Sequence, residues 1–457
     1  MLTKAGAYTV LFLFTISPLL AQKAETSPAF QLVQPQGQAA PPPLITLQDA
    51  LDRATRLDVQ YQLAISNAGI AREDRVQARA ALLPGISQTT QLLQTQGNGI
   101  TPNGRFVTND GVHVYRSWGV ARQEISAETF LKSTYQRAQA GEALANARVE
   151  IAQRGLVLTV TRNYYTFLTS QRKYGTAQQS VQQAQRFLEI TQQQENAGQA
   201  AHSDVVKAQI QYEQQRQAFQ EATLGVDNAR LNLAVLLFPD FNENFNVVDD
   251  LDSAQALPPF PEIQSMAAEA NPELRAAQAA LRQASFDVRV AKNAFLPAIA
   301  IDAVYGIEAN AFAVRSRAAA FPEAGVLPNL GFFITANFTL PVFDWGIRQS
   351  KVRQAETRER QSQVELTQTQ RVLLANLYLY YNEVLTARAA VDVSRRAAEL
   401  STESLRLVNL RYQAGESTAL EVVDAQKTLV DTHNAYDDAQ TRYRVALSQL
   451  QTLTGKF

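Results

Sequence analysis

The 457-residue chain has no cysteine, two methionines, two tryptophans and three histidines. Without Cys there is no disulfide framework, no thiolate zinc site, no iron–sulfur cluster, no thiol nucleophile and no Cys-borne lipid anchor. Charge of one sign is also lacking: 42 Lys and Arg against 43 Asp and Glu leave a net charge of −1, with charged residues at 19%. Phosphate binding needs a basic excess, so nucleic acid is not an expected partner. Past the N-terminus no apolar run is long enough to span a bilayer as a helix. Catalytic signatures are missing too: there is no Gly-x-Ser-x-Gly, no His-Glu-x-x-His and no phosphate-cradling Gly-Lys-Ser/Thr, and His113, His202 and His433 fall in unrelated elements. No enzyme activity, metal or cofactor is therefore expected, and the histidines read as solvated or pore-facing.

The N-terminus carries an address. Met1–Lys4 is short and basic, Ala5–Leu20 is nearly all apolar, and cleavage after Ala21 fits a secretory signal over 1–21. A retained membrane anchor is the alternative. Residues 22–43, with Pro35 and Pro41–Pro43, read as a Pro-rich leader outside the fold.

The chain repeats itself. Ala197-Gly198 and Val205-Val206-x-Ala208-Gln209 recur as Ala414-Gly415 and Val422-Val423-x-Ala425-Gln426, at an offset of 217. Leu83-Pro84-x-Ile86 recurs as Leu296-Pro297-x-Ile299. This predicts a tandem duplication, 44–240 and 262–457, joined by a Pro-containing linker over 241–261.

Each copy has the same order of patterns. Leu47–Leu82 and Pro261–Phe295 are amphipathic and end at the Leu-Pro pairs, as helices do. Period-2 stretches follow. Leu330, Phe332, Ile334, Ala336, Phe338 and Leu340 share an apolar face, as do Ile299, Ile301, Ala303, Tyr305 and Ile307. Copy one has weaker strands, Ile86–Thr95 and Val112–Ile125, with Val114, Trp118 and Val120 on one side. The remainder reads as long helices, about 127–196 and 342–413, each followed by a second, about 203–238 and 418–454. At ~1.5 Å per residue, a 70-residue helix is about 105 Å long. Heptad columns run through both, such as Leu377, Val384, Val391, Ala398, Leu405 and Tyr412, interleaved with Ala, Gln and Ser rather than a second Leu column. Side-by-side packing of many helices is expected, not a narrow zipper.

Four half-apolar strands cannot close a membrane barrel, since single-chain barrels start at eight. Two chains would give eight strands and three would give twelve; only the larger leaves a lumen that continues a conduit of long helices. A soluble sheet packed on its own helices is the alternative.

Together, the signal, the duplicated helix–strand–strand–helix unit, the Leu-Pro pairs, the Leu340-Pro341-Val342-Phe343-Asp344-Trp345-Gly346 turn and Tyr412-x-x-Gly415 resemble the TolC-like outer-membrane efflux proteins, or outer membrane factors. The resemblance covers about 44–455. Copy one departs from it at Glu124–Glu128, where the Phe-Asp-x-Gly turn is missing. The family implies a mainly α fold with a small β part: a homotrimer whose long coiled-coil α-barrel continues into a shared twelve-stranded β-barrel in the outer membrane. It implies a passive exit duct of a tripartite efflux or type I secretion system, working with a periplasmic adaptor and an inner-membrane pump. By matching positions, Asp204, Glu421 and Asp424 fall on the acidic sites of the periplasmic aperture and Tyr412 on the tip tyrosine. Ser417 stands where an arginine would complete a latch, and Lys207 is the candidate cation. Gly198 and Gly415 mark the helix-tip turns that contact the adaptor, and Phe332, Ile334 and Phe338 would face lipid. The competing function is a periplasmic coiled-coil structural or adaptor protein that never enters a membrane.

Overall fold

The computed structural model describes residues 42–94, 113–240, 244–252, 257–309, 312, 314 and 329–455. The expected signal and leader, except for residues 42 and 43, lie outside them. In chain order the elements are β1 (Leu44–Ile45), α1 (Leu47–Leu57), α2 (Val59–Ala80), β2 (Gly85–Gln94), β3 (His113–Ile125), α3 (Ala127–Leu131), α4 (Ser133–Asn196) and α5 (His202–Leu237). There follow β4 (Asn246–Val247), α6 (Phe260–Ala270), α7 (Pro272–Asn293), β5 (Ala298–Ala309), β6 (Leu330–Thr339), α8 (Ile347–Gln413) and α9 (Ala419–Thr454).

The first helix of each copy is interrupted, contrary to the continuous helices expected. Asp58 leaves the helical region (φ −67°, ψ 119°) and its carboxylate accepts from the Tyr61 amide at 2.6 Å. Asn271 does the same (φ −71°, ψ 121°), accepting from the Leu274 amide at 2.9 Å with Pro272 behind it. Each side chain caps the second segment, which is why apolar periodicity passes through the break unmarked.

Two helices run the full length, α4 with 64 residues and α8 with 67, each about 100 Å at 1.5 Å per residue. Toward the strands the lateral order is α2–α4–α7–α8; toward the far end it is α5–α4–α9–α8. Both layers therefore have the same edges, α2 and α5 on one side and α8 on the other. Those edges carry exposed apolar residues. On α8, Val372, Leu379, Val393, Leu400 and Leu407 form a second heptad column, 40–71% exposed, beside the buried one of Leu377, Val384, Ala398, Leu405 and Tyr412. Thr386 interrupts this column, which conceals it in the sequence. Leu63 and Ile70 on α2 and Ile210 and Leu224 on α5 are exposed on the opposite edge.

The four long strands form one antiparallel sheet in the order β2–β3–β5–β6. The register places Ile299, Ala303 and Tyr305 opposite Phe338, Ile334 and Phe332, on one face. Val114, Trp118 and Val120 lie on the other, with Arg116 and Arg122. There Arg116 pairs with Glu308 at 2.8 Å and Arg122 with Asp302 at 3.7 Å. The apolar side expected for β3 is thus the charged side of the sheet.

At the α8 junction Gly346 (φ +84°) turns the chain, and Asp344 accepts from the Arg348 amide (3.0 Å) and guanidinium (2.6 Å). Copy one solves the same problem differently. The short α3 ends at Lys132 (φ +53°), and Glu128 accepts from the Thr134 amide (2.9 Å) and from Asn293 of α7 (2.7 Å).

The segment expected as a linker is part of the core. β4 pairs in parallel with β1, and Phe245, Val247 and Leu251 are buried with Tyr164, Phe167 and Leu233. The Tyr164 hydroxyl donates to the Val248 carbonyl at 2.8 Å. Beside it Arg172 of α4 holds Asp249 (2.6 Å), Asp437 of α9 (3.3 Å) and Gln440 (2.7 Å). Burial pushes the Asp437 carboxyl up, against the pull of Arg172. A second core joins Leu377 and Val384 of α8 to Leu447 and Leu450 of α9 and Ile263 of α6.

Candidate functional site at the helix reversals

All four strand–helix junctions lie at one end of the helices, so the reversals at 197–201 and 414–418 form the other end. Gly198 (φ +71°) and Gly415 (φ +78°) both adopt the left-handed conformation, which costs a side-chain-bearing residue about 1 kcal/mol. The turn amides satisfy the last helix carbonyls: Gln199 donates to Gln194 (2.7 Å) and Glu416 to Arg411 (2.8 Å).

Tyr412 is buried here, not displayed. Its ring packs 5.2 Å from Phe187 of α4, and its hydroxyl shares a hydrogen bond with Thr191 at 3.3 Å. Ala208 of α5 and Ala419 and Val422 of α9 complete the cluster. One apolar knot thus ties both hairpins together.

The acidic residues sit around this knot. Glu421 accepts from the Ser417 hydroxyl at 2.7 Å, its amide donates to the Thr418 cap at 3.3 Å, and Arg411 stands 4.0 Å away. The Ser417 hydrogen bond, then Thr418 and Arg411, hold the Glu421 carboxyl below the usual carboxylate range. Ser417 is therefore a partner of the acid rather than a gap in a latch, and Arg411, overlooked in the sequence reading, supplies a cation beside it. Arg411 was overlooked because it lies ten residues before Glu421, a spacing that only the reversal closes. Asp204 occupies the equivalent first turn of α5 and receives Lys207 at 3.4 Å. Lys207 thus pairs within its own helix. Asp424 lies one turn beyond Glu421, and its carbonyl accepts from Thr428. The two reversals differ: copy one has Glu195 against His202 at 2.8 Å where copy two has Tyr412 and Ala419. Phe332, Ile334 and Phe338, at the opposite end, are 77%, 65% and 64% exposed.

No helix among the described residues is long and apolar enough to cross a membrane. Residues 53–237 and 263–456 match the family described as outer membrane efflux protein. The chain belongs to that family. Efflux proteins of this kind are outer-membrane channels that extend into the periplasm. Outer membrane protein OprJ of Pseudomonas aeruginosa is 26% identical, over 87% of this chain and 79% of its own. Outer membrane protein TolC of Escherichia coli is 23% identical, over 88% and 80%. Among solved structures, the Campylobacter jejuni CmeC outer membrane channel superposes with a TM-score of 0.77 at 17% identity, covering 90% of this chain and 85% of that one. In this efflux protein, as in the fold it shares, the reversals and the sheet lie at opposite ends of one run of helices.

Proposed function

We propose that three copies of this chain close into a single duct, passive in itself, that takes cargo from an inner-membrane pump and a periplasmic adaptor and releases it outside. The observation that carries this reading is the pair of open edges. In both helical layers and in the sheet, copy one supplies one edge (α2, α5, β2) and copy two the other (α8, β6). Complementary edges on opposite sides of one chain associate head to tail, and a rotation closes them into a ring. Four strands each make twelve from three chains, a closed barrel with no edge left to lipid. The ion-paired face then lines the lumen, because charged pairs are costly against hydrocarbon, and Phe332, Ile334 and Phe338 meet lipid.

At the other end Gly198 and Gly415 shape the tips that contact the adaptor. Asp204, Glu421 and Asp424 ring the aperture, and Tyr412, with Arg411 and Lys207, fastens it. Each repeat, 44–240 and 262–457, supplies half of every layer. The carboxylates favour cations in a narrow passage.

The purified complex should have the mass of three chains, require detergent, and conduct in a planar bilayer with cation selectivity. Selectivity should fall when Glu421→Gln and Asp424→Asn are combined. A monomer soluble without detergent would sink the reading, and unchanged selectivity would remove the acidic ring from it.

A further inference from the structure

The ion-paired face of the sheet is not uniformly polar. At its middle the register aligns Val120, Val304 and Phe333 in one row across β3, β5 and β6, and Trp118, Gly306 and Gly331 in the next. Trp118 and Phe333 belong to strands on either side of β5, roughly 10 Å apart. Their ring centroids are nonetheless 5.8 Å apart, edge to face. The rings therefore meet above β5, where Gly306 contributes no side chain and Val304 is 6% exposed. On the indole lies Arg116, its guanidinium carbon 5.2 Å from the ring centre, tied to Glu308 and, at 3.2 Å, to Gln91. The Arg122–Asp302 pair bounds the patch on the other side. The result is an apolar, aromatic island between two charge-neutral ion pairs, with Phe333 42% exposed.

We propose that the Trp118–Phe333 island is a contact site for planar aromatic groups of passing cargo on the wall of the duct. The inference rests on the reading that this face lines the lumen. Recognition there is through ring faces and edges, since each flanking charge already has its counter-ion. Closure of three chains would repeat the island three times around one passage, a series of weak contacts from which cargo can leave.

Trp118 and Trp345 are the only tryptophans, so Trp345→Phe, which keeps a ring against Phe343, makes Trp118 the sole tryptophan, read by excitation beyond the absorption of the tyrosines. In lipid vesicles, aqueous acrylamide should quench it and brominated lipid should not. The reverse would overturn the assignment of the lumen face itself. Separately, in planar bilayers, naphthalene-2-sulfonate should produce reversible, saturable block of the wild-type duct, while hexanesulfonate at the same concentration should not. Trp118→Leu should abolish the block, and Phe333→Leu should weaken it about three- to tenfold, the worth of one aromatic pair. If Trp118→Leu fails to assemble, Phe333→Leu alone decides. Absence of block in the wild type, block by both sulfonates alike, or equal block in the variants that assemble would overturn the aromatic site while leaving the lumen face intact.

Discussion

Arg411, in the last turn of α8, and Glu421, in the first turn of α9, face one another across the Gly415 reversal, with 4.0 Å between guanidinium and carboxylate. Each charge suits its helix end, cation at the C-terminus and anion at the N-terminus, so the dipoles and the pair act in the same direction. The pair is exposed, and its effect is expected on the aperture rather than on global stability.

Replacing Arg411 by Ala should raise single-channel conductance by loosening the turn, and more so than Lys207→Ala, whose cation serves Asp204 within one helix. Equal effects would make the two cations equivalent. The pH dependence has a definite sign. Glu421 has a lowered folded pKa, so its contribution is complete above the ordinary value near 4.5 and is lost as pH falls through the folded one. Conductance should thus stay level from pH 7 to about 5 and rise below 4.5, and Glu421→Gln should remove that rise.

Tyr412 separates packing from hydrogen bonding. Tyr412→Phe loses only the Thr191 contact, worth about 1 kcal/mol. Tyr412→Ala empties the knot between Phe187 and Val422 and should cost roughly 3 kcal/mol. Denaturant melting of the far end, followed by hydrogen exchange in α5 and α9, should show that order, with increased conductance for Ala alone.

Gly306 and Gly331 lie opposite one another in the sheet but differ in what a side chain would meet. A Cβ at Gly306 would run into the Ser117 carbonyl oxygen and come within 2.8 Å of the Trp118 Cα, both backbone; at Gly331 it would meet nothing within 4 Å. Gly306→Ala should therefore lower the yield of assembled complex several-fold, and Gly331→Ala should not, as read by detergent-resistant oligomer on gels.

The proposed lipid face is tested by charge. Phe332→Asp or Phe338→Asp should abolish membrane assembly, because a carboxylate held against hydrocarbon is costly, whereas Thr335→Asp, on the ion-paired face beside Asp302, should assemble. The opposite pattern would exchange the faces.

Asp437 gives the reverse pH sign to Glu421. Burial raises its folded pKa above 3.8, so the folded state holds the extra proton and stability falls as pH rises through that window. Asp437→Asn should flatten this slope on the alkaline side of the ordinary carboxyl value. Arg172→Ala should steepen it, because it leaves the carboxylates of Asp249 and Asp437 without their shared cation.

The duplication, the strand spans to within a residue or two and the left-handed glycines were legible, because each depends on local chemistry: Leu-Pro stops, two-residue alternation, and a residue without Cβ at a turn. The interruptions at Asp58 and Asn271 were not, since an Asx cap inside an apolar repeat looks like one more polar position. Phe245, Val247 and Leu251 were read as linker because three buried residues among Asn and Asp are too few to set a period. Arg411 and the Tyr412–Thr191 contact needed the fold, which brings together residues 10 and 221 positions apart. The face of β3 was misjudged for another reason: Val114, Trp118 and Val120 alternate correctly, but only the pairing with Asp302 and Glu308 tells which side is charged.

The separation of edges between the two copies has a genetic consequence. In the proposed three-chain ring every junction joins the early edge of one chain to the late edge of the next, so a change confined to one edge spoils a junction whichever neighbour it meets. A cell making equal amounts of normal and edge-altered chain would build intact rings only when all three members are normal, about one assembly in eight. Such alleles should act dominantly over the wild type, while changes buried between α4 and α9 should be recessive.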